Sequence, residues 1–449
     1  MGGFLWNLGA FIVALGVLVA VHEFGHFWVA RRNGIKVERF SIGFGKAIWR
    51  RVGKDGTEYV LAMIPLGGYV KMLDSRVEDV PEALKDQAFN HKSVWARMAV
   101  VVAGPMANFV FAIFAFWLMF LIGVPAVKPV LNEVTASSPA AEAGLLPGME
   151  IQAIDGKAVR TWEDVNFALI GRLGDDSTEF AVKNSAGQAQ QARINLIGWE
   201  FDPDEQSPIS ALGLVPVGPK LTLTVAQVLE DGPASQAGIK NGDLLQAVDG
   251  ETLTDWQQLV SKVQASPEKE LELDVLREGQ RLSLVLTPAR HETSERVIGY
   301  AGLAPKVLPV ADEYRFDLRY GLFSAVGAGI DRTWDLTVLT FQMLGKLVTG
   351  VVSVDNLSGP ISIAKGAGAT ADYGLVYFLG FMALVSVNLG IINLLPLPVL
   401  DGGHLLFYII EAITGRPVPE KIQEVGFKIG AALLMMLMGL ALFNDFTRL

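Results

Sequence analysis

The chain has 449 residues, of which 51% are hydrophobic and 19% charged, and its net charge is −10. This composition excludes a disordered chain, argues against an ordinary soluble enzyme and gives no signal for nucleic acid. There is no cysteine, so disulfides, thiolate nucleophiles and sulfur-bound metals are excluded, and any metal must be held by the five histidines or by Asp and Glu.

Residues 1–30 read as a first transmembrane helix, because no charge appears before the cluster at His22. The absence of a basic residue before Arg31 argues against a cleaved signal peptide. At the end of the span stands His22-Glu23-Phe24-Gly25-His26, an H-E-x-x-H pattern. Positions i and i+4 share a helix face, so both imidazoles can reach one metal, with Glu23 beside them to take a proton from water. Ionisable residues in a membrane span are costly and usually functional. A catalytic zinc commonly has a third protein ligand. Val29 and Arg32 stand where a metzincin would continue with Gly and His, so the candidates are Glu38, Asp401 and His404.

Residues 31–95 form a loop whose first part, Arg31 to Lys92, holds 12 Lys/Arg against 8 Asp/Glu; within it Val60–Met72 is mostly apolar with Gly67-Gly68 at its centre. Residues 96–125 read as a second span. The region from Pro125 to Tyr320 holds 17 Lys/Arg against 29 Asp/Glu. By the positive-inside rule the first loop is cytoplasmic and the long acidic region lies outside. That region repeats: residues 139–162 and 233–256 match at ten of 24 positions without a gap, including Asp155-Gly156 and Asp249-Gly250. A period of 94 suits a small domain, giving units at 126–220 and 221–309. Residues 310–372 contain an apolar stretch, Leu336–Val352, interrupted by Lys346, and read as an interfacial amphipathic segment.

Residues 373–400 form a third span that ends in Asn393-Leu-Leu-Pro396-Leu-Pro398-Val-Leu-Asp401-Gly402-Gly403. Prolines break the helix, and irregular backbone at membrane depth is tolerated where it lines a protein or water-filled cavity. The glycines are expected to permit unusual backbone angles. Asp401 then sits near the same membrane edge as His22, about 27 Å from the outer end of the first span. Asn388 and Asn393 are polar within the third span and could serve the substrate backbone or freed helix carbonyls. Residues 401–424 return to the cytoplasmic side, and 425–445 make a fourth span whose apolar run, Val425 to Phe443, is interrupted only by Lys428.

The repeated units resemble PDZ domains in their circularly permuted form, which implies capture of an extended peptide or passive gating. H-E-x-x-H in span one, N-x-x-P-x-P-x-L-D-G-G in span three and tandem PDZ modules between them resemble the site-2 protease family of intramembrane zinc metallopeptidases. The resemblance covers essentially the whole chain. It implies a polytopic α-helical membrane protein with four transmembrane helices and two extracytoplasmic α+β PDZ-like domains. It further implies Zn2+ on His22, His26 and Asp401, with Glu23 as general base and acid. Val60–Met72 is similar to the family's membrane-associated β-hairpin, so Gly67, Gly68 and Tyr69, with Asn388 and Asn393, are expected substrate contacts. The expected setting is the bacterial inner membrane. Expected substrates are single-span proteins such as a trimmed anti-sigma factor in the envelope stress response, or signal peptide remnants. A non-catalytic PDZ scaffold and a zinc transporter are the other classes weighed.

Overall fold

The computed structural model describes residues 2–201, 206–292, 297–352, 354 and 358–447. Helix α1 (Gly2–Arg32) leads into two long strands, β1 (Val37–Val52) and β2 (Glu58–Met72), and then α2 (Val94–Ile122). Ser93 starts α2, its side chain accepting from the Ala96 N–H, and Gly123 ends it with φ 103°. The two strands are more than a hairpin. Ile42 lies opposite both Gly68 and Leu61, whereas Trp49 and Arg51 lie opposite Leu61 and Tyr59. Each strand therefore doubles back, giving four short segments side by side: 68–72, 37–42, 58–62 and 47–52. Gly43, Gly45 and Gly67, with φ of 89°, 87° and 131°, supply the bends. The bent end is apolar and exposed, with Phe44, Ile48, Trp49, Met63 and Ile64 on its surface.

Beyond α2 the chain forms two units. The first contains β3 (Val124–Val127), β4 (Leu131–Val134), α3 (Pro139–Glu142), β5 (Glu150–Ile154), β6 (Lys157–Ala158), α4 (Trp162–Gly171), β7 (Ser177–Lys183), β8 (Ala189–Asn195), α5 (Pro208–Ala211) and β9 (Leu214–Pro216). The second contains β10 (Lys220–Val228), α6 (Pro233–Gln236), β11 (Leu244–Val248), β12 (Glu251–Thr252), α7 (Trp256–Ala265), β13 (Leu271–Arg277), β14 (Gln280–Leu286), β15 (Ala289–Glu292), β16 (Val297–Tyr300) and β17 (Leu303–Leu308). The 94-residue offset carries α3 onto α6, β5 onto β11, α4 onto α7 and β7 onto β13. Asp155-Gly156 and Asp249-Gly250 all have positive φ, between 49° and 76°, which is the type I′ geometry a tight hairpin needs. Each unit has its own core, one around Phe180, Ile151 and Leu169, the other around Leu273, Leu245 and Leu259.

Strand β18 (Arg315–Leu318) pairs with β3, so the chain leaves and re-enters the membrane region through one two-stranded ribbon. Then follow α8 (Leu322–Val348), α9 (Pro360–Tyr373), α10 (Leu375–Leu394), α11 (Asp401–Thr414) and α12 (Glu420–Thr447). Four helices, α1, α2, α10 and α12, are long and apolar enough to cross a membrane. Helix α8 begins well before the apolar stretch that signals it in the sequence. It does not simply lie on the outer surface: Ala325, Gly329, Thr333 and Leu336 are buried, and Gly329 packs against the α2 backbone at Ile113 and Trp117. Its charges serve the first of the two units: Arg332 pairs with Glu163 and Asp164, Lys157 pairs with Asp335, and Lys346 donates to the Gly171 carbonyl. The core among these helices combines large side chains such as Phe116, Phe120 and Met382 with small ones, Ala14, Ala112, Ala115 and Ala383, which let helices approach closely.

Candidate metal centre

Three side chains from distant parts of the chain converge on one point. His22 Nε2 and His26 Nε2 are 3.2 Å apart, and Asp401 Oδ2 lies 3.2 Å from the first and 3.4 Å from the second. The side chains are 12%, 11% and 21% exposed, so the point is largely shielded from solvent. The i, i+4 spacing on α1 supplies the imidazoles, as the sequence indicates.

Asp401 arrives by a different route. Pro396 and Pro398 stop α10 at Leu394, and the chain folds back at once into α11, with Asp401 as its first helical residue. Gly402 and Gly403 do not adopt positive φ. A Cβ at either position would overlap backbone atoms of Leu394–Pro398. Their role is close approach, in place of the unusual backbone angles that the sequence suggests.

The hydrogen bonds around the three groups fix their lone pairs. His26 Nδ1 lies 2.8 Å from the Val100 carbonyl, which can only accept, so Nδ1 carries the proton and Nε2 presents a lone pair. The Asn108 amide, fully buried, lies 3.1 Å from His22 Nδ1, and its Oδ1 has no partner. Turning the amide lets Oδ1 accept from Nδ1–H and frees His22 Nε2 as well. Ser386 on α10 in turn donates to the Asn108 carbonyl. Asp401 Oδ2, although close to both rings, is buried without an aligned donor. Three acceptor atoms facing one another across 3.2–3.4 Å repel unless a cation lies among them. A tetrahedral zinc with bonds of about 2.0–2.1 Å has ligand–ligand edges of about 3.3 Å, so the donor set fits that ion in type and spacing.

Glu23 makes no hydrogen bond or ion pair among the described residues. Gly68 lies against it: a Cβ there would stand 2.8 Å from Glu23 Cγ. The segment Gly67–Tyr69 thus runs past the carboxylate, and only a glycine fits at 68. Asn393 makes no hydrogen bond among the described residues, whereas the Asn388 carbonyl oxygen accepts from the Thr340 hydroxyl of α8 at 2.9 Å. The other candidate ligands lie apart from the cluster. Glu38 is paired with Lys71 at 2.6 Å, and the His404 ring packs on Phe427. Two contributors lie in α2: Asn108 against His22, and Gly104, whose position leaves no room for a Cβ beside the His26 ring.

A cavity of about 1340 Å³ lies elsewhere, between the first of the two units and α2, α8 and α10.

The sequence profile of Peptidase family M50 matches residues 10–437. A putative zinc metalloprotease of Vibrio cholerae is 55% identical over 452 residues, covering 100% of both chains. The regulator of sigma-E protease RseP of Escherichia coli is 55% identical over 450 residues, again with 100% of each chain covered. The regulator of sigma E protease of Haemophilus influenzae is 50% identical, covering 99% of this chain and all of its own.

Proposed function

The chain belongs to peptidase family M50, and from that premise we propose that it is a zinc endopeptidase cutting transmembrane segments of single-span proteins. The observation that carries the reading is the mutual 3.2–3.4 Å spacing of His22 Nε2, His26 Nε2 and Asp401 Oδ2 beside an unpaired Glu23. His22, His26 and Asp401 would hold the zinc. When bound there, zinc acts as a Lewis acid and makes water acidic enough to attack near neutral pH. Glu23 takes the proton from the attacking water and returns it to the leaving amide nitrogen, as its place on the same helix turn allows. Shielding from solvent strengthens these charge interactions.

A substrate helix must unwind before its amides can be reached. The segment 68–72 pairs with 37–42 on one side only among the described residues, which supports strand pairing on the other, with Gly67, Gly68 and Tyr69 opposite the unwound peptide. The unengaged Asn393 amide offers a second backbone contact. Asn388 holds α8 through Thr340 and has only its N–H groups to spare.

The outer units are proposed to be permuted PDZ-like modules, a reading supported by the common element order at a fixed offset. They would act by size exclusion. The first unit is tied through its ion pairs to α8, which packs on α2, so a substrate with a bulky outer domain would have to displace it. Loop charges favour a periplasmic position for these units and a metal centre toward the cytoplasmic side of the inner membrane. The Escherichia coli relative is named for regulation of sigma-E. By that likeness the substrate is a trimmed anti-sigma factor in envelope stress signalling, with remnant signal peptides as a second class.

The test is Glu23→Gln. This variant should retain the zinc content of the wild type and lose cleavage of a purified single-span substrate. Undiminished cleavage would remove the proposed base, and zinc-free wild type without activity would favour a scaffold.

A further inference from the structure

Both histidines share one helix, but Asp401 hangs on the far side of a non-helical turn. Its helix, α11, has Leu400 before it, which provides no side-chain cap. Something else must fix where α11 points. Ten residues beyond Asp401, Glu411 receives both terminal nitrogens of Arg97, Nη2 to Oε1 at 2.7 Å and Nη1 to Oε2 at 3.2 Å. The same guanidinium lies 4.8 Å from the centre of the Tyr408 ring, and its Nε donates to the Lys92 carbonyl. The two charged side chains are only 11% and 18% exposed. Arg97 therefore has an acidic partner, an aromatic face and a backbone acceptor, all in a shielded place.

Periodicity explains why this contact reaches the metal ligands. On α11, Asp401 and Tyr408 are seven residues apart and share a side, with Glu411 one turn further. On α2, Arg97, Val100, Gly104 and Asn108 follow one another at spacings of three or four and form one stripe. Each of the four touches the ligand-bearing helices: Arg97 holds α11, the Val100 carbonyl and Gly104 meet His26, and Asn108 meets His22. Helix α2 contributes no ligand, yet it gauges the distance between those that do. The span from Asp401 to Glu411 is about 15 Å, so a tilt of about 4° about the Glu411 end would move Asp401 by about 1 Å. Metal–ligand distances tolerate only about 0.2 Å.

We propose that Arg97 is a positioning residue for the third ligand: by clamping Glu411 and Tyr408 of α11 to α2, it sets Asp401 at the separation from His22 and His26 that one metal ion requires. The inference rests on the metal-centre reading above.

The experiment uses the purified full-length chain in detergent, titrated with Co2+ and followed by the visible band of tetrahedral cobalt and by competition with a chelator. Wild type should bind one equivalent. Arg97→Met should weaken binding by roughly 10–100-fold, the range seen when groups that orient ligands are lost, and should dim or shift the band. The exchange Arg97→Glu with Glu411→Arg should recover much of both. If Arg97→Met fails to fold, Glu411→Gln carries the test, with the same direction and a loss of at least several-fold. Wild-type affinity and spectrum in a folded Arg97→Met or Glu411→Gln protein would overturn the positioning role while leaving the metal centre intact. A wild type that binds no cobalt would overturn the metal-centre reading itself.

Discussion

Gly104→Ala is a small change with a large expected effect. An ideal Cβ at this position would lie 2.2 Å from Nε2, 2.6 Å from Cε1 and 2.8 Å from Cδ2 of the His26 ring. Non-bonded heavy atoms settle near about 3.5 Å, so the ring must withdraw by roughly 1 Å or α2 must move away from α1. Little room exists for the helix to move, because Gly25 of α1 meets the Ala103 backbone on the same contact. The ring is also held by its hydrogen bond to Val100, one turn earlier on α2. A displacement of that size is several times the tolerance of a zinc–nitrogen bond. Zinc affinity should fall by about 10–100-fold, equivalent to about 1.4–2.7 kcal/mol. The assay is chelator competition on the purified variant, with Met106→Ala on the exposed side of the same helix as control. If Gly104 serves helix packing alone, Gly104→Ala would lower the melting temperature while the folded fraction keeps wild-type zinc affinity. That result would refute the argument.

Other consequences can be measured separately. Asp445 is buried near the end of α12 and accepts from the backbone N–H groups of Gly359 and Ile361 at the start of α9. Asp445→Ala should cost about 1–3 kcal/mol of stability in detergent, read as a lower unfolding temperature, with zinc content unchanged. In the second unit, residues 220–308, Arg277 grips the buried Asp243 carboxylate through two contacts of 2.7 Å and holds its pKa below the ordinary carboxylate value. A carboxylate with a lowered folded-state pKa adds stability above its unfolded value, near 4, and loses it as pH falls through the folded value. Hydrogen exchange across β11 and β13 should therefore quicken below about pH 4 in the wild type. In Arg277→Met the carboxylate lacks its partner, and exchange should already be fast at pH 7; a pH profile identical to the wild type would contradict this.

Much of the centre is visible in the sequence because its signals are local. H-E-x-x-H needs only the helical repeat to bring two imidazoles together, and four apolar stretches mark the four described helices that are long and apolar enough to cross a membrane. The internal repeat carries its turn chemistry with it, since Asp-Gly at 155 and 249 encodes the same left-handed pair. Contacts between distant segments leave weaker marks. The doubling back of β1 and β2 depends on which of two possible neighbours each segment takes, and a period of two does not distinguish them. The charges that interrupt α8 look like an interfacial pattern, but several are spent on the first of the two units. Gly402 and Gly403 look like conformational freedom and turn out to be clearance. Arg97 gives no sign at all: its partner is 314 residues away, and a single arginine at the edge of a span is ordinary.

The most direct test of the metal centre is X-ray absorption at the zinc edge, combined with zinc stoichiometry, on wild type and Asp401→Ala. One zinc per chain is expected in the wild type, with two imidazole nitrogens and a carboxylate oxygen at about 2.0–2.1 Å. In Asp401→Ala that oxygen and most of the zinc should be lost. Equal zinc content and an unchanged coordination shell in the two proteins would contradict the convergence of α1 and α11 on a single ion.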